Sequence, residues 1–124
     1  MDFKELIAYK KAFKLAMDIF IISKQFPKEE KYSLTDQIRR SSRSTCANIA
    51  ESYRKRKYPK HFVSKLTDSD GENSETIVWL EFSLACEYIN LETFNKLISE
   101  SEEIGKLLNF MINNPDKFGC STSN

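Results

Sequence analysis

An all-α fold built from a few long helices is what this chain predicts, and three observations carry that reading. Its 124 residues include only three glycines and three prolines, which leaves little material for tight turns. An all-β fold would need turn signals roughly every 8–12 residues. Apolar residues recur at helical rather than alternating spacing along each segment between the prolines. Hydrophobic content of 40% beside 30% charged residues is ordinary for a globular domain, and a chain of this length buries a core without disulfides or metal. One domain is expected, a helical bundle over 1–115 followed by a flexible tail over 116–124.

The first helix should run from about Asp2 to Phe26, because Pro27 disfavours helical backbone in the residue before it. It carries two apolar stripes. Phe3, Leu6, Phe13, Met17 and Phe20 form one, flanked by Tyr9 and Ala16. Ala8, Ala12, Leu15, Ile19, Ile22 and Phe26 form the other, on nearly the opposite side, with coiled-coil spacing. One core absorbs one stripe. The second needs another partner, either a neighbouring helix of the same chain or another subunit, and the alanine-rich stripe is assigned to a subunit interface.

Pro27 to Ser33 is a polar connection of the length that joins antiparallel neighbours. Helix two starts at Ser33 or Leu34, with the Ser33 hydroxyl as a cap and Asp36 suiting the helix dipole. Its core stripe is Leu34, Ile38, Ser42, Thr45, Ile49 and Tyr53, and small residues at Ser41, Ser44, Ala47 and Ala50 allow close approach of other helices. Gln37, Arg40, Asn48 and Glu51 share one side of it at helical spacing. The set has neither paired carboxylates nor a nucleophile with a base beside it, so it fits a hydrogen-bonded network between helices or subunits better than an active site.

A basic corner follows, Arg54-Lys55-Arg56-Lys57-Tyr58-Pro59-Lys60-His61, in which Tyr58-Pro59 ends helix two and Pro59 suits the first turn of the next. The cations could hold phosphates while Tyr53 and Tyr58 stack on bases; the plainer alternative is a solvated corner. Helix three runs from Lys60 to about Asn90 with a stripe of Phe62, Leu66, Ile77, Leu80 and Leu84, Ser69 and Asn73 filling its middle. Val78, Phe82, Ala85 and Ile89 make a second stripe. Asp68 to Glu75 reads locally as a loop, yet the stripe stays in phase across it, so the helix is continued; a break near Gly71, giving five helices, is the alternative. Helix four begins at Asn90 or Leu91 and runs to about Asn114, ahead of Pro115.

Net charge is +1, but it is distributed unevenly. From Gln37 to Lys65 nine cations face the single acid Glu51, and from Thr67 to Glu103 ten acids face Lys96 alone. Such a chain either binds an anionic partner with its basic half or pairs basic to acidic faces between helices or subunits. Cys46, Cys86 and Cys120 are odd in number and far apart, which argues against a disulfide framework and a zinc site. His61 is the one histidine, so no triad or multi-histidine site is available. The acids from Asp68 to Glu75 lack the glycine position and final glutamate of a calcium loop. No catalytic residue, metal or cofactor is predicted. With no secretory layout at the N-terminus and no membrane-spanning run, the expected location is the cytoplasm.

Leu34-x-x-Gln37-x-Arg39-Arg40, Asn48-Ile49-Ala50-Glu51, the basic corner, Phe62-x-x-x-Leu66 and Gly71-x-x-x-Glu75 follow one another in an order that resembles the family of proteins encoded in intervening sequences of bacterial 23S ribosomal RNA genes. The likeness extends from Phe3 to about Ile112. It implies an antiparallel up-down four-helix bundle, a homopentameric ring and no established enzymatic activity. A related branch, the accessory proteins of diversity-generating retroelements, implies basic pentamers that bind nucleic acid. Ser52 departs from the glycine usual in the family, and Asp68, Asp70 and Glu72 add negative charge where it is uncommon. Two functions follow as expectations: a self-assembling, non-enzymatic scaffold or adaptor, and alternatively a nucleic-acid-binding protein using Arg54, Lys55, Arg56, Lys57, Tyr58 and Lys60 on the rim of a ring, for RNA or DNA.

Overall fold

The computed structural model describes residues 2–120. Four helices, α1 (Ile7–Ser23), α2 (Leu34–Arg54), α3 (Pro59–Ala85) and α4 (Leu91–Asn113), run up and down in chain order, with no strand among the described residues. Each packs against its sequence neighbour and α1 closes on α4, so α1 and α3 stand diagonally across the bundle. The core is built from Leu15, Ile19, Ile38, Ile49, Phe62, Leu66, Leu80, Leu97, Ile104 and Leu108, all at most 2% exposed.

Local chemistry sets the helix ends. Leu6 is extended (φ −65°, ψ 133°), which separates a 3-10 turn at Phe3–Glu5 from α1, so the first α-helix starts later than periodicity alone predicts. Asp2 and Glu5 close that turn as a capping box. Ser33 does not cap α2 as expected: its hydroxyl donates to Glu30 Oε1 at 2.6 Å, and that same oxygen accepts from the Leu34 N–H at 3.3 Å, so the carboxylate is the cap. Glu30 also accepts from the Tyr88 hydroxyl at 2.9 Å, and the two hydroxyl donors, Ser33 first, hold its carboxyl below the usual range. Helix α3 passes unbroken through Asp68–Glu75 and ends at Ala85, where Glu87 takes a left-handed φ of 63° and the Tyr88 N–H returns to the Ser83 carbonyl at 2.9 Å. Asn90 caps α4 by accepting from the Thr93 N–H at 2.8 Å.

The contact between α2 and α3 is lined by small polar residues. Ser41 and Thr76 share a hydroxyl–hydroxyl bond of 2.8 Å, and the Ser69 hydroxyl donates across the seam to the Thr45 carbonyl at 2.6 Å. Farther in, Asn73 donates to the Ser101 carbonyl and accepts from the Ser101 hydroxyl, both at 2.9 Å, tying α3 to α4. Ser42 and Ser52 turn their hydroxyls onto carbonyls of their own helix. All these groups are buried and paired, so their small volume brings helices close without leaving polar atoms unsatisfied.

The structure reverses the two sides of α1. Ala8, Ala12, Leu15 and Ile19 face the chain's own core, Phe26 is buried at its end and Ile22 is half-buried, so the stripe assigned to a subunit interface is an internal one. The physical reason is size: alanines let α1 settle between α2 and α4, where phenylalanine and methionine would hold it off. The tail also differs from expectation. Pro115–Phe118 forms a 3-10 turn, Phe118 packs 6.4 Å from Phe62 and 6.0 Å from Phe110 between ring centres, Arg56 Nη1 donates to the Phe118 carbonyl at 3.3 Å, and Cys120 is buried. Gly119, at φ 86°, lies where any Cβ would come within 2.9 Å of the Arg56 guanidinium. Residues 121–124 of the expected flexible tail lie outside the described residues.

Candidate interaction faces

With its alanines turned inward, α1 presents Phe13 (52% exposed), Met17 (43%) and Ile21 (58%) on its outer side. These large apolar groups sit four residues apart, one continuous stripe. Its edge is cationic. Phe20, half-buried, lies beneath the Arg39 guanidinium at 4.8 Å, Arg43 at 5.6 Å and the Lys24 ammonium at 4.8 Å. Arg39 is held there by donating Nε to the Ser23 hydroxyl at 2.7 Å. The arrangement fixes two α2 arginines beside the α1 stripe rather than letting them wave in solvent.

The outer side of α3 has the same apolar character with the opposite charge. Val78 (46% exposed) and Phe82 (52%) lie one turn apart, and Trp79 packs on Phe82 with centroids 5.9 Å apart. The indole Nε1 of Trp79 is shielded yet has no hydrogen-bond partner. Tyr32, Leu34, Gln37 and Cys86 complete a shallow hollow of about 410 Å³ beside these rings. Toward the start of the helix follow Asp68, Asp70, Glu72 and Glu75, with Glu81 farther along, none in an ion pair among the described residues. Burial, and then the neighbouring Glu75 carboxylate, pushes the Glu72 carboxyl above its ordinary value.

The predicted polar set on α2 does not come together. Gln37 is exposed, Arg40 reaches Asp36 at 3.7 Å, Asn48 donates to the Ser44 carbonyl at 3.0 Å and Glu51 pairs with Lys65 at 2.7 Å. The four point away from the core, so each finds a partner on its own helix or on α3, or meets solvent. The buried network is instead Ser41, Thr76, Ser69, Asn73 and Ser101, whose signal in the sequence is small polar residues recurring on core stripes.

The basic corner divides as well. Arg56 turns inward, 3.6 Å over the Tyr53 ring, donating to the Tyr53 carbonyl at 2.8 Å and to Phe118. Arg54 lies over Phe3 at 5.4 Å. Lys55, Lys57, Tyr58 and Lys60 are exposed, and the His61 ring packs 5.7 Å from Tyr58. Only part of the predicted nucleic-acid set therefore faces outward freely. Two acids of α4 are met by α1, not by this corner: Lys11 reaches Glu103 at 2.8 Å and Lys14 reaches Glu100 at 3.0 Å.

As for chemistry, burial pushes the Cys46 thiol up to about 11, the opposite of what activates a nucleophile. Among the described residues the cysteines are free, no group of three or more His, Cys, Asp or Glu side chains is placed to hold a metal ion, and no helix is long and apolar enough to cross a membrane.

The model of the family described as 23S rRNA-intervening sequence protein matches residues 4–110. A crystal structure at 1.70 Å of a protein with unknown function from the S23 ribosomal protein family of Bacteroides thetaiotaomicron VPI-5482 is similar to this chain at 32% identity, covering 86% of this chain and 96% of that one, with a TM-score of 0.79. No curated protein matches.

Proposed function

The chain belongs to the 23S rRNA-intervening sequence protein family, and from that premise we propose that it works without catalysis, as a helical scaffold that self-associates and acts on its partner through the assembly. One observation carries the reading: α1 buries alanines and exposes Phe13, Met17 and Ile21, an arrangement that leaves apolar area in water unless another surface covers it. Polar groups in the interior support the non-catalytic half of the reading, because the seam hydroxyls and Asn73 bond to one another and to carbonyls and are spent on holding helices together. A ring, of five copies by family likeness, is the assembly proposed, and free thiols suit the reducing cytoplasm. Native mass spectrometry and light scattering across a dilution series test this: one discrete multimer is expected, and a single-chain mass at every concentration overturns it.

A second reading, binding of RNA or DNA, is favoured by Lys55, Lys57 and Lys60, which reach solvent without an ion-pair partner among the described residues. Repeated around a ring, three cations per copy would add through avidity. Salt-dependent gel-shift experiments decide it, and absence of a shift at low ionic strength rejects it.

A further inference from the structure

We infer that the outer face of α1 in one copy docks on the outer face of α3 in the next, a head-to-tail contact between unlike surfaces rather than a symmetric pairing of like ones. The inference rests on the self-association proposed above and specifies its geometry.

Three observations point the same way. The first is shape. Both faces are the outer sides of long helices carrying large apolar groups, Phe13, Met17 and Ile21 on α1 against Val78 and Phe82 on α3. At about 1.5 Å per residue even α1, the shorter, offers a side roughly 25 Å long.

The second is charge. The α1 stripe is edged by Lys10, Lys24, Arg39 and Arg43, none of them in an ion pair among the described residues. The α3 face carries Asp68, Glu72 and Glu75, equally unpaired. Within one chain these two groups stay apart, because α1 and α3 stand on the diagonal of the bundle. Pairing α1 with α1 sets cations against cations, and pairing α3 with α3 sets acids against acids. Pairing α1 with α3 is the combination that matches sign as well as apolarity.

The third is direction. Each face lies opposite its own helix's buried side, and the helices are diagonal, so the two faces look away from each other. A subunit with unlike, oppositely directed faces propagates, and it closes into a ring where the rotation between copies permits. A symmetric interface would stop at two copies and leave the other face bare.

Complementation of two defective chains tests the pairing. Met17→Asp spoils the α1 face and Val78→Asp spoils the α3 face; both positions are exposed, and circular dichroism verifies that the variants keep the helical content of the parent. Each variant alone is expected to run as a single chain. Mixed in equal amounts, they should form a complex of two chains and nothing larger, because one intact α1 face then meets one intact α3 face and both remaining faces carry the added acid. A two-chain species from either variant alone, a wild-type-sized multimer from either alone, or no complex on mixing overturns the pairing. If the wild-type chain is itself a single chain, the self-association falls with it; if wild type is a multimer and the variants misbehave, only the pairing falls. As a second measurement, Met17→Cys combined with Val78→Cys in a Cys86→Ser background should give a ladder of covalent multimers on mild oxidation. Covalent dimers from either single cysteine would instead mark a like-to-like contact and overturn the inference.

Discussion

Between α2 and α3 the protein buries serine and threonine, whereas on the outer side of α1 it exposes phenylalanine, methionine and isoleucine. Polarity and burial are thus exchanged between the two regions. The exchange is tolerable inside because each seam hydroxyl bonds to a carbonyl or another hydroxyl, so the helices gain closeness without stranding polar atoms. Outside, nothing in the chain compensates Phe13, Met17 and Ile21. The difference teaches that the seam is finished within one chain and the outer face is not, and perturbations of the two should fail in different assays.

The largest effect is expected from filling the seam. Ser69→Leu forces a branched chain into a space that is 0% exposed, and should destabilise the fold by about 3 kcal/mol in urea denaturation. Next comes Asn73→Ala, which leaves the Ser101 hydroxyl and carbonyl without their cross-helix partner and should cost about 2 kcal/mol. Phe13→Ser on the outer face should change the stability of the separated chain by no more than about 0.5 kcal/mol while lowering the mass of the multimer. A loss of several kcal/mol at Phe13 in dilute, single-chain protein would erase the distinction between finished and unfinished regions.

The smallest effect concerns the Glu30 cap. Its carboxyl titrates below the usual value in the fold, so its contribution is fully present above the unfolded carboxylate range and is lost as pH falls through the lowered value. Glu30→Gln should therefore lower the neutral plateau of the melting-temperature profile slightly and flatten its acid limb, so that variant and wild type converge at low pH. At the other extreme, the Glu30 carboxylate and then burial push the Tyr88 phenol up to about 12, so the support it gives is present below the unfolded value and fades above the folded one. Ultraviolet titration of tyrosinate in wild type and Glu30→Gln reads that shift directly.

The sequence was most legible where periodicity spans long distances. Leu66, Ser69, Asn73 and Leu80 stay in phase through an acidic run of poor helix formers, and α3 is continuous there for that reason. Periodicity does not register size, however. Two apolar stripes on α1 look equivalent until packing shows that only the alanine-rich one lets the helix sit close. Gln37, Arg40, Asn48 and Glu51 share a side by spacing, but spacing alone does not say whether that side faces a neighbour. Arg56 reads as one cation among many, and its inward turn depends on Tyr53 one turn away and on a carbonyl 62 residues later in the chain. The capping error has the same origin: Ser33 occupies the cap position, but a carboxylate three residues earlier reaches the Leu34 N–H.

Trp79 is the chain's single tryptophan, and it sits against Phe82 at the margin of the acidic apolar face, with its indole N–H shielded but unbonded. Indole emission responds to how wet its surroundings are. The unmodified protein therefore carries its own optical gauge of that surface: a blue shift with rising concentration, abolished by Val78→Asp, would follow the covering of the α3 face in real time, without a dye, a tag or any change to the interface being watched.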